Sequence, residues 1–204
     1  MKSEAALAVS YLRRTGHGDL YIGAPGGGMS RVHLADDDAK ARFVTALLKA
    51  KCEPGEELEL FGEPVAALAG PARARLRRRI AALSPIVGLI TNLNVWENVS
   101  LAAAYHGTPP LEGVAAMAGD VLSAFGYEAR PFLARLPDGL APLEAKLAEL
   151  IRLLAAAPEL AVVDALQDGL SGAERPRAAL FESELRARLP QATLLFVDSK
   201  EEDS

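Results

Sequence analysis

Two continuous apolar runs near the end of the chain constrain its fold more than any other feature. The runs at 160–163 and 193–197 contain almost no polar side chain. Runs without alternation are typical of parallel strands that are buried on both faces. A helical pattern at about 173–188 separates them. Strand, helix and strand in this order predict an α/β fold with a parallel sheet.

The rest of the chain adds strands before this unit and helices in its middle. Strand-like stretches occur at 7–11, 20–22, 31–35 and 57–61, and the N-terminal ones are expected to pair antiparallel. Helical patterns occur at 39–51, 95–105, 115–125 and 143–157. We therefore expect one domain of 204 residues. Its α/β core covers 1–90 and 156–204, and an inserted helical subdomain covers 91–155.

Composition argues against several classes of protein. No apolar run reaches the roughly 18 residues of a membrane span, and the first eight residues lack the apolar segment of a signal peptide. Cys52 is the one cysteine and no Cys/His cluster has zinc spacing, so we expect a cytosolic protein without a metal site. The net charge of -5 argues against nucleic-acid binding. The basic run at 73–79 has no interleaved aromatic residues and is interpreted as a solvated helix face.

A glycine-rich stretch, GAPGGGMS at 23–30, matches the phosphate-loop formula GxxxxGK(S/T) except that Met29 stands at the lysine position. A working phosphate loop leads from a strand directly into a helix, whose N-terminus holds the phosphate. The residues after Ser30 are strand-like instead. This stretch is therefore predicted to be a hairpin turn.

A second stretch, LADDDAKARF at 34–43, follows a predicted strand and opens a helix, as a phosphate loop should. It keeps Lys40, but three aspartates and Ala39 replace the glycines, and Ala41 occupies the position of the magnesium-binding Ser/Thr. Carboxylates repel phosphate, and without glycine the backbone cannot approach it closely. The aspartates are predicted to cap the helix.

In this register the chain resembles the ATP-binding subunits of ABC transporters over nearly its whole length. LITNLNVWENVSL at 89–101 is the most specific piece, and it is similar to the segment after the family's glutamine loop, especially in the lipid-asymmetry branch. PELAVVDALQDGLS at 158–171 resembles the Walker B strand and D-loop, and TLLFVDSK at 193–200 resembles the switch strand. The resemblance implies a P-loop NTPase (RecA-like) sheet with ATP and Mg²⁺ as ligands. It also implies a dimer bound to a permease at the inner face of the cell membrane.

Three positions keep residues that could contact a nucleotide. The resemblance places Tyr11 at the adenine-stacking position, Lys40 in the phosphate loop and Asp164 where Mg²⁺ is held through water. These are the candidate nucleotide-binding residues. We expect no catalytic residue and no protein-ligated metal, and the three aspartates beside Lys40 argue against ATP and Mg²⁺.

The positions that perform hydrolysis in the family have all changed. Ala165 replaces the general-base glutamate, and losing a general base costs about 10²–10⁴-fold in rate. Pro85 stands in the glutamine loop and Ser199 replaces the switch histidine. The signature that binds a partner's ATP corresponds to LAPLE at 140–144, and Ser171 takes the place of the D-loop aspartate.

These substitutions support three hypotheses. The first is a subunit without ATPase activity that serves a permease or an active ATPase as a structural, coupling or regulatory partner. The similarity to the lipid-asymmetry branch implies that the transported molecule is a lipid. In this hypothesis residues 90–97 meet the permease and Trp96 is the anchor. The second is an ATP-binding subunit with weak or asymmetric hydrolysis that uses Tyr11, Lys40 and Asp164. The third is a soluble binder of small anions that uses the glycine-rich stretch at 23–30.

Overall fold

The computed structural model describes residues 6–16, 18–106 and 109–199. Its strands are β1 (Leu7–Arg13), β2 (Leu20–Pro25), β3 (Met29–Leu34), β4 (Glu56–Leu60), β5 (Glu63–Pro64), β6 (Ile80–Leu83), β7 (Leu160–Asp164) and β8 (Thr193–Ser199). Its helices are α1 (Asp37–Lys49), α2 (Gly70–Arg78), α3 (Val95–His106), α4 (Leu111–Ala124), α5 (Ala129–Leu133), α6 (Pro142–Ala155) and α7 (Ala178–Arg188).

The chain divides into two compact units. The first comprises Met1–Ala82, Pro158–Ala165 and Gln191–Ser204, and the second comprises Leu83–Ala157 and Leu166–Pro190. The predicted division differs from this one, because it assigns 83–90, 156–157 and 166–190 to the α/β core. Helix α7 belongs with the other helices since the ring of Phe181 packs edge-on against Phe125, with the ring centroids 5.0 Å apart. Local periodicity does not reveal such a partner.

The first unit contains two sheets. The antiparallel sheet has the order β2-β1-β4-β5 and the parallel sheet has the order β3-β8-β7-β6. Leu160 of β7 pairs with Thr193 of β8, and every residue of β7 is buried. This confirms the two predicted parallel strands, the α/β class and the antiparallel N-terminal strands. Strand β6 was not among the predicted strands.

Helix α1 and the antiparallel sheet share one core. Phe43, Val44 and Leu47 are fully buried on the inner face of the helix, and they belong to the same cluster as Val9 of β1 and Val162 of β7. Their spacing of three and four residues places them on one side of the helix. This packing fixes the start of α1 relative to the ends of the parallel strands.

The second unit is mainly helical. Helix α6 buries the apolar stripe that its sequence predicts, formed by Leu143, Leu147, Leu150, Ile151 and Leu154. In the described ranges no helix has the length and apolar character needed to cross a membrane.

Candidate functional site

The connection from β3 to α1 is two residues long. Strand β3 ends at Leu34 and α1 begins at Asp37, so only Ala35 and Asp36 lie between them. The backbone N–H of Ala39 donates to the Asp36 carboxylate at 2.7 Å, which confirms the predicted helix cap. The N–H of Lys40 donates to the carbonyl of Asp36 at 3.1 Å. Amides at this helix start are thus already hydrogen-bonded within the chain.

Four side chains meet beside this helix start, and we call Asp37, Lys40, Asp164 and Ser199 the Lys40 cluster. The Lys40 ammonium lies 3.1 Å from Asp37 Oδ1 and 3.8 Å from Asp164 Oδ1. The Ser199 hydroxyl donates to Asp37 Oδ1 at 2.8 Å. Lysine and Asp164 side chains are 9% and 4% exposed, whereas Asp37 is 82% exposed. A surface carboxylate therefore bridges a buried ammonium and a hydroxyl.

The parallel sheet explains why these residues meet. Asp164 and Ser199 are the last residues of β7 and β8, and Lys40 lies on the helix that follows β3, the other neighbour of β8. Carboxyl ends of parallel strands lie at one edge of a sheet, where α/β folds place their ligand sites. Lys40 and Asp164, two of the three predicted nucleotide-binding residues, thus lie together, and their binding of a nucleotide stays a prediction. Ser199 and Asp37 join them there.

The cluster also sets the charge state of Asp37. The hydroxyl of Ser199 first, and the ammonium of Lys40 second, hold the pKa of the Asp37 carboxyl below its usual value. Both groups favour the ionised form because they donate hydrogen bonds to it. The role of Asp37 was not predicted, although its spacing of three residues from Lys40 on a helix is a recognisable ion-pair pattern.

Ala165 follows Asp164 in a strained conformation. Its φ is 55°, a left-handed value that costs a residue with a side chain about 1–2 kcal/mol. Its N–H donates to the carbonyl of Val197 at 3.2 Å, and its side chain is 2% exposed. A methyl group in this place neither accepts a proton nor orients water.

Tyr11 lies in the core rather than at a ligand site, which corrects the expectation drawn from its sequence position. It is 1% exposed, its ring centroid is 5.0 Å from that of Phe43, and its hydroxyl donates to Glu56 at 2.9 Å. Burial first, and then the hydrogen bond to Glu56, raise the pKa of Tyr11. Its ring has no free face on which an adenine could stack.

The glycine-rich stretch links the two sheets and is not the predicted hairpin, because β2 and β3 belong to different sheets. The N–H of Gly26 donates to the carbonyl of Ala6 at 2.9 Å, and the N–H of Gly27 donates to the Thr193 hydroxyl at 3.0 Å. The carbonyl of Gly28 accepts a hydrogen bond from the N–H of Leu194 at 2.8 Å. These contacts occupy two amides that the small-anion hypothesis would need.

In the second unit, the segment 84–90, which was predicted to correspond to the glutamine loop, is held in place from two sides. Ser84 is buried, and Pro85 beside it is exposed. The Asn98 amide donates to the carbonyls of Ile90, Leu93 and Asn94, each at 3.0 Å, and its oxygen accepts from the N–H of Ile90 at 2.7 Å. The Arg152 guanidinium donates to the carbonyls of Val87 and Gly88. Pro85 offers no side-chain amide to a ligand.

The stretch 140–144, which was predicted to correspond to the family signature, contains the start of α6. Glu144 accepts from the N–H of Ala141 at 2.8 Å and from the Arg135 guanidinium at 2.8 Å. The hydrogen bond from Arg135 is the main cause that lowers the pKa of Glu144. At this helix start too, a carboxylate of the chain itself, that of Glu144, accepts a hydrogen bond from a backbone amide.

No family model and no curated protein matches the chain. Among solved structures, cbiO1 from Clostridium perfringens, described as part of the ABC transporter complex cbiONQ, matches with a TM-score of 0.72. The match covers 95% of this chain and 79% of that one, at 13% sequence identity. At this identity the match establishes the fold alone. The chain has the fold of an ABC transporter ATP-binding subunit, with its P-loop NTPase core.

Proposed function

We propose that the chain is an ABC-ATPase-fold subunit that does not turn over ATP and acts as a structural, coupling or regulatory partner of a permease or an active ATPase. The observation that carries this proposal is the Lys40 cluster. The lysine that would face phosphate instead pairs with the chain's own Asp37 and Asp164. Ser199, at the switch position, donates to the same Asp37 carboxylate.

The residues present do not fit a polyphosphate. The connection of two residues cannot form a loop of backbone amides around it. Asp36, Asp37 and Asp38 would face its negative charges at the start of α1. Each carboxylate about 4 Å away costs roughly 1 kcal/mol in water and roughly 4 kcal/mol near a protein surface. Ala41 also offers no hydroxyl to Mg²⁺.

A titration with Mg-ATP tests this part of the proposal. A ligand at 100 times its Kd stabilises a protein by about 2.7 kcal/mol, which raises the Tm of a chain of this size by roughly 5–10 °C. We expect 1 mM Mg-ATP to change the Tm by less than about 1 °C, and calorimetry to give no binding heat. A large shift would instead favour the second candidate, an ATP-binding subunit with weak or asymmetric hydrolysis. The proximity of Lys40 and Asp164 is the observation in favour of that candidate.

The exposed apolar residues of the glutamine-loop segment support a docking role. Ile86 and Ile90 are each 43% exposed, and Val87 is 40% exposed. Asn98 holds the backbone of Ile90, and Arg152 holds the carbonyl of Val87. A rigid surface loses less entropy on binding than a flexible one. Trp96 is partly buried at the start of α3, where it could contribute to the same surface.

Purification from native membranes tests the docking role. We expect the tagged chain to retain an integral-membrane permease, a second ABC-type ATPase, or both. Ile90→Glu should lose them, whereas Leu180→Glu, which changes a 40% exposed residue elsewhere in the second unit, should not. The similarity of 89–101 to the lipid-asymmetry branch makes a lipid permease the first partner class to examine. Equal recovery with both variants would contradict this interface.

A further inference from the structure

We infer that the first unit carries a second ligand site, unrelated to the Lys40 cluster, for a small organic cation with a flat apolar group. The site is a cleft of about 660 Å³. This volume lies within the range of roughly 300–1,000 Å³ that is usual for small-molecule pockets. Six of its lining residues carry the argument: Ser10, Glu59, Phe61, Glu159, Gln191 and Thr193.

The cleft lies at the opposite edge of the parallel sheet from the Lys40 cluster. Glu159 precedes β7 and Thr193 begins β8, whereas Asp164 and Ser199 end the same two strands. A strand rises about 3.3 Å per residue, so roughly 15–20 Å separate the two edges. A ligand in the cleft cannot touch the phosphate-loop position, and the cleft is a separate site.

One wall of the cleft is an aromatic residue in a strained turn. Phe61 and Gly62 join β4 to β5 and have φ values of 52° and 79°. A two-residue turn with two positive φ values favours Asn-Gly, whereas a bulky residue there costs about 1–2 kcal/mol. Such strain concentrates at functional sites. The presence of phenylalanine at this position is therefore better explained by its ring, which lines the cleft, than by the turn.

The ring of Phe61 is held in position on one side. The Arg79 guanidinium lies 3.8 Å from the ring centroid and binds Glu159 through two hydrogen bonds of 2.7 and 2.8 Å. The Phe61 N–H also donates to the carbonyl of Ala8 at 2.8 Å. These contacts fix a half-buried ring that lines the cleft. The ring also packs against the core, and the part of it that lines the cleft offers a fixed apolar surface to a planar group of a ligand.

The charge of the cleft selects a cation. Its described lining includes two carboxylates and no lysine, arginine or histidine. Arg79 neutralises Glu159, but Glu59 is exposed and has no ion pair among the described residues. Glu59 lies directly opposite Ser10 across the β1–β4 pair, so the carboxylate and the hydroxyl share one face of the sheet. The Glu59 carboxylate can pair with the ammonium group of a ligand, and Phe61 can contact a flat apolar group attached to that ammonium.

Nuclear magnetic resonance titration of the full chain tests this inference with three related probes: 2-phenylethylammonium, neutral 2-phenylethanol and anionic 3-phenylpropionate. We expect the ammonium probe to shift the amide signals of Gly26, Gly27 and Gly62, and to bind at least tenfold more tightly than the anion. Glu59→Gln and Phe61→Leu should each weaken its binding at least fivefold. Glu57→Gln, on the same strand and face but outside the cleft, should change it less than twofold.

Several results would overturn the inference. Equal binding of the cationic and anionic probes would show that Glu59 does not select the charge of the ligand. Unchanged binding by Phe61→Leu would show that the ring does not contact the ligand. Shifts of the three glycine signals that depend on protein concentration without any probe would assign the cleft to a second copy of the chain. Because Glu59 is exposed, its variant should fold even if Phe61→Leu does not. The Mg-ATP titration addresses the other edge of the sheet, so its outcome does not bear on this site.

Discussion

Replacing Lys40 by methionine removes the charge from the Lys40 cluster and keeps the length of the side chain. The Lys40 and Asp164 side chains are 9% and 4% exposed, and their charged atoms lie 3.8 Å apart. Removing one partner of a buried ion pair costs about 3–5 kcal/mol because the other charge stays buried. Asp37 is 82% exposed, so water solvates its carboxylate and its lost contact adds little.

Urea unfolding measures this loss. For a chain of this size, a loss of 3–5 kcal/mol lowers the urea midpoint by about 1–2 M. Lys49→Met is the matched control, because Lys49 lies in the last turn of the same helix and is exposed. Its effect should stay within about 0.5 kcal/mol.

A second substitution separates the ion pair from the packing of the lysine stem. Lys40→Met combined with Asp164→Leu removes both buried charges, and we expect it to recover most of the stability lost by Lys40→Met alone. A loss below about 1 kcal/mol in the single variant would refute the reasoning. So would a double variant as unstable as the single one, since the cost would then come from packing.

Three further predictions concern strained or hydrogen-bonded residues. Ser199 first, and then Lys40, hold the folded-state pKa of Asp37 below its ordinary value. The stabilising effect of Asp37 is therefore present above the ordinary pKa and is lost as the pH falls through the folded-state pKa. Ser199→Ala removes the main cause and should raise the Asp37 pKa in a carboxyl NMR titration. Ala157, just after α6, has φ 44° and is exposed, so Ala157→Gly should raise the free energy of unfolding by about 1 kcal/mol, and an unchanged Tm would contradict this. Ala165→Glu alone should leave phosphate release from Mg-ATP at background, since the connection before α1 is unchanged by it.

Local sequence patterns predicted much of the fold. The apolar run at 160–163 became a fully buried strand, and the period of the stripe on α6 matched its buried face. Strand β6 was missed because its four residues follow an arginine-rich helix without a break in composition. The placement of 166–190 with the helices depends on contacts such as that of Phe181 with Phe125, which no local pattern encodes.

The candidate site was predicted only in part, for a similar reason. The resemblance to ABC ATP-binding subunits named Lys40 and Asp164, and their charged atoms lie 3.8 Å apart. Their role in nucleotide binding stays a prediction. The hydrogen bond from Ser199 to Asp37 joins residues 162 positions apart, and neither residue alone indicates it. Tyr11 was assigned to adenine stacking by the resemblance alone, which does not reveal that its ring is buried against Phe43.

At the starts of α1 and α6, a carboxylate of the chain itself accepts a hydrogen bond from a backbone amide. A helix N-terminus carries a partial positive charge and free amides, which an external phosphate can satisfy. In α1 the Asp36 carboxylate takes the N–H of Ala39, and in α6 the Glu144 carboxylate takes the N–H of Ala141. Each carboxylate is covalently attached, so its effective concentration exceeds that of any free anion. At both helix starts the chain thus satisfies an amide with its own carboxylate, and the stability of these helix starts does not depend on an external anion.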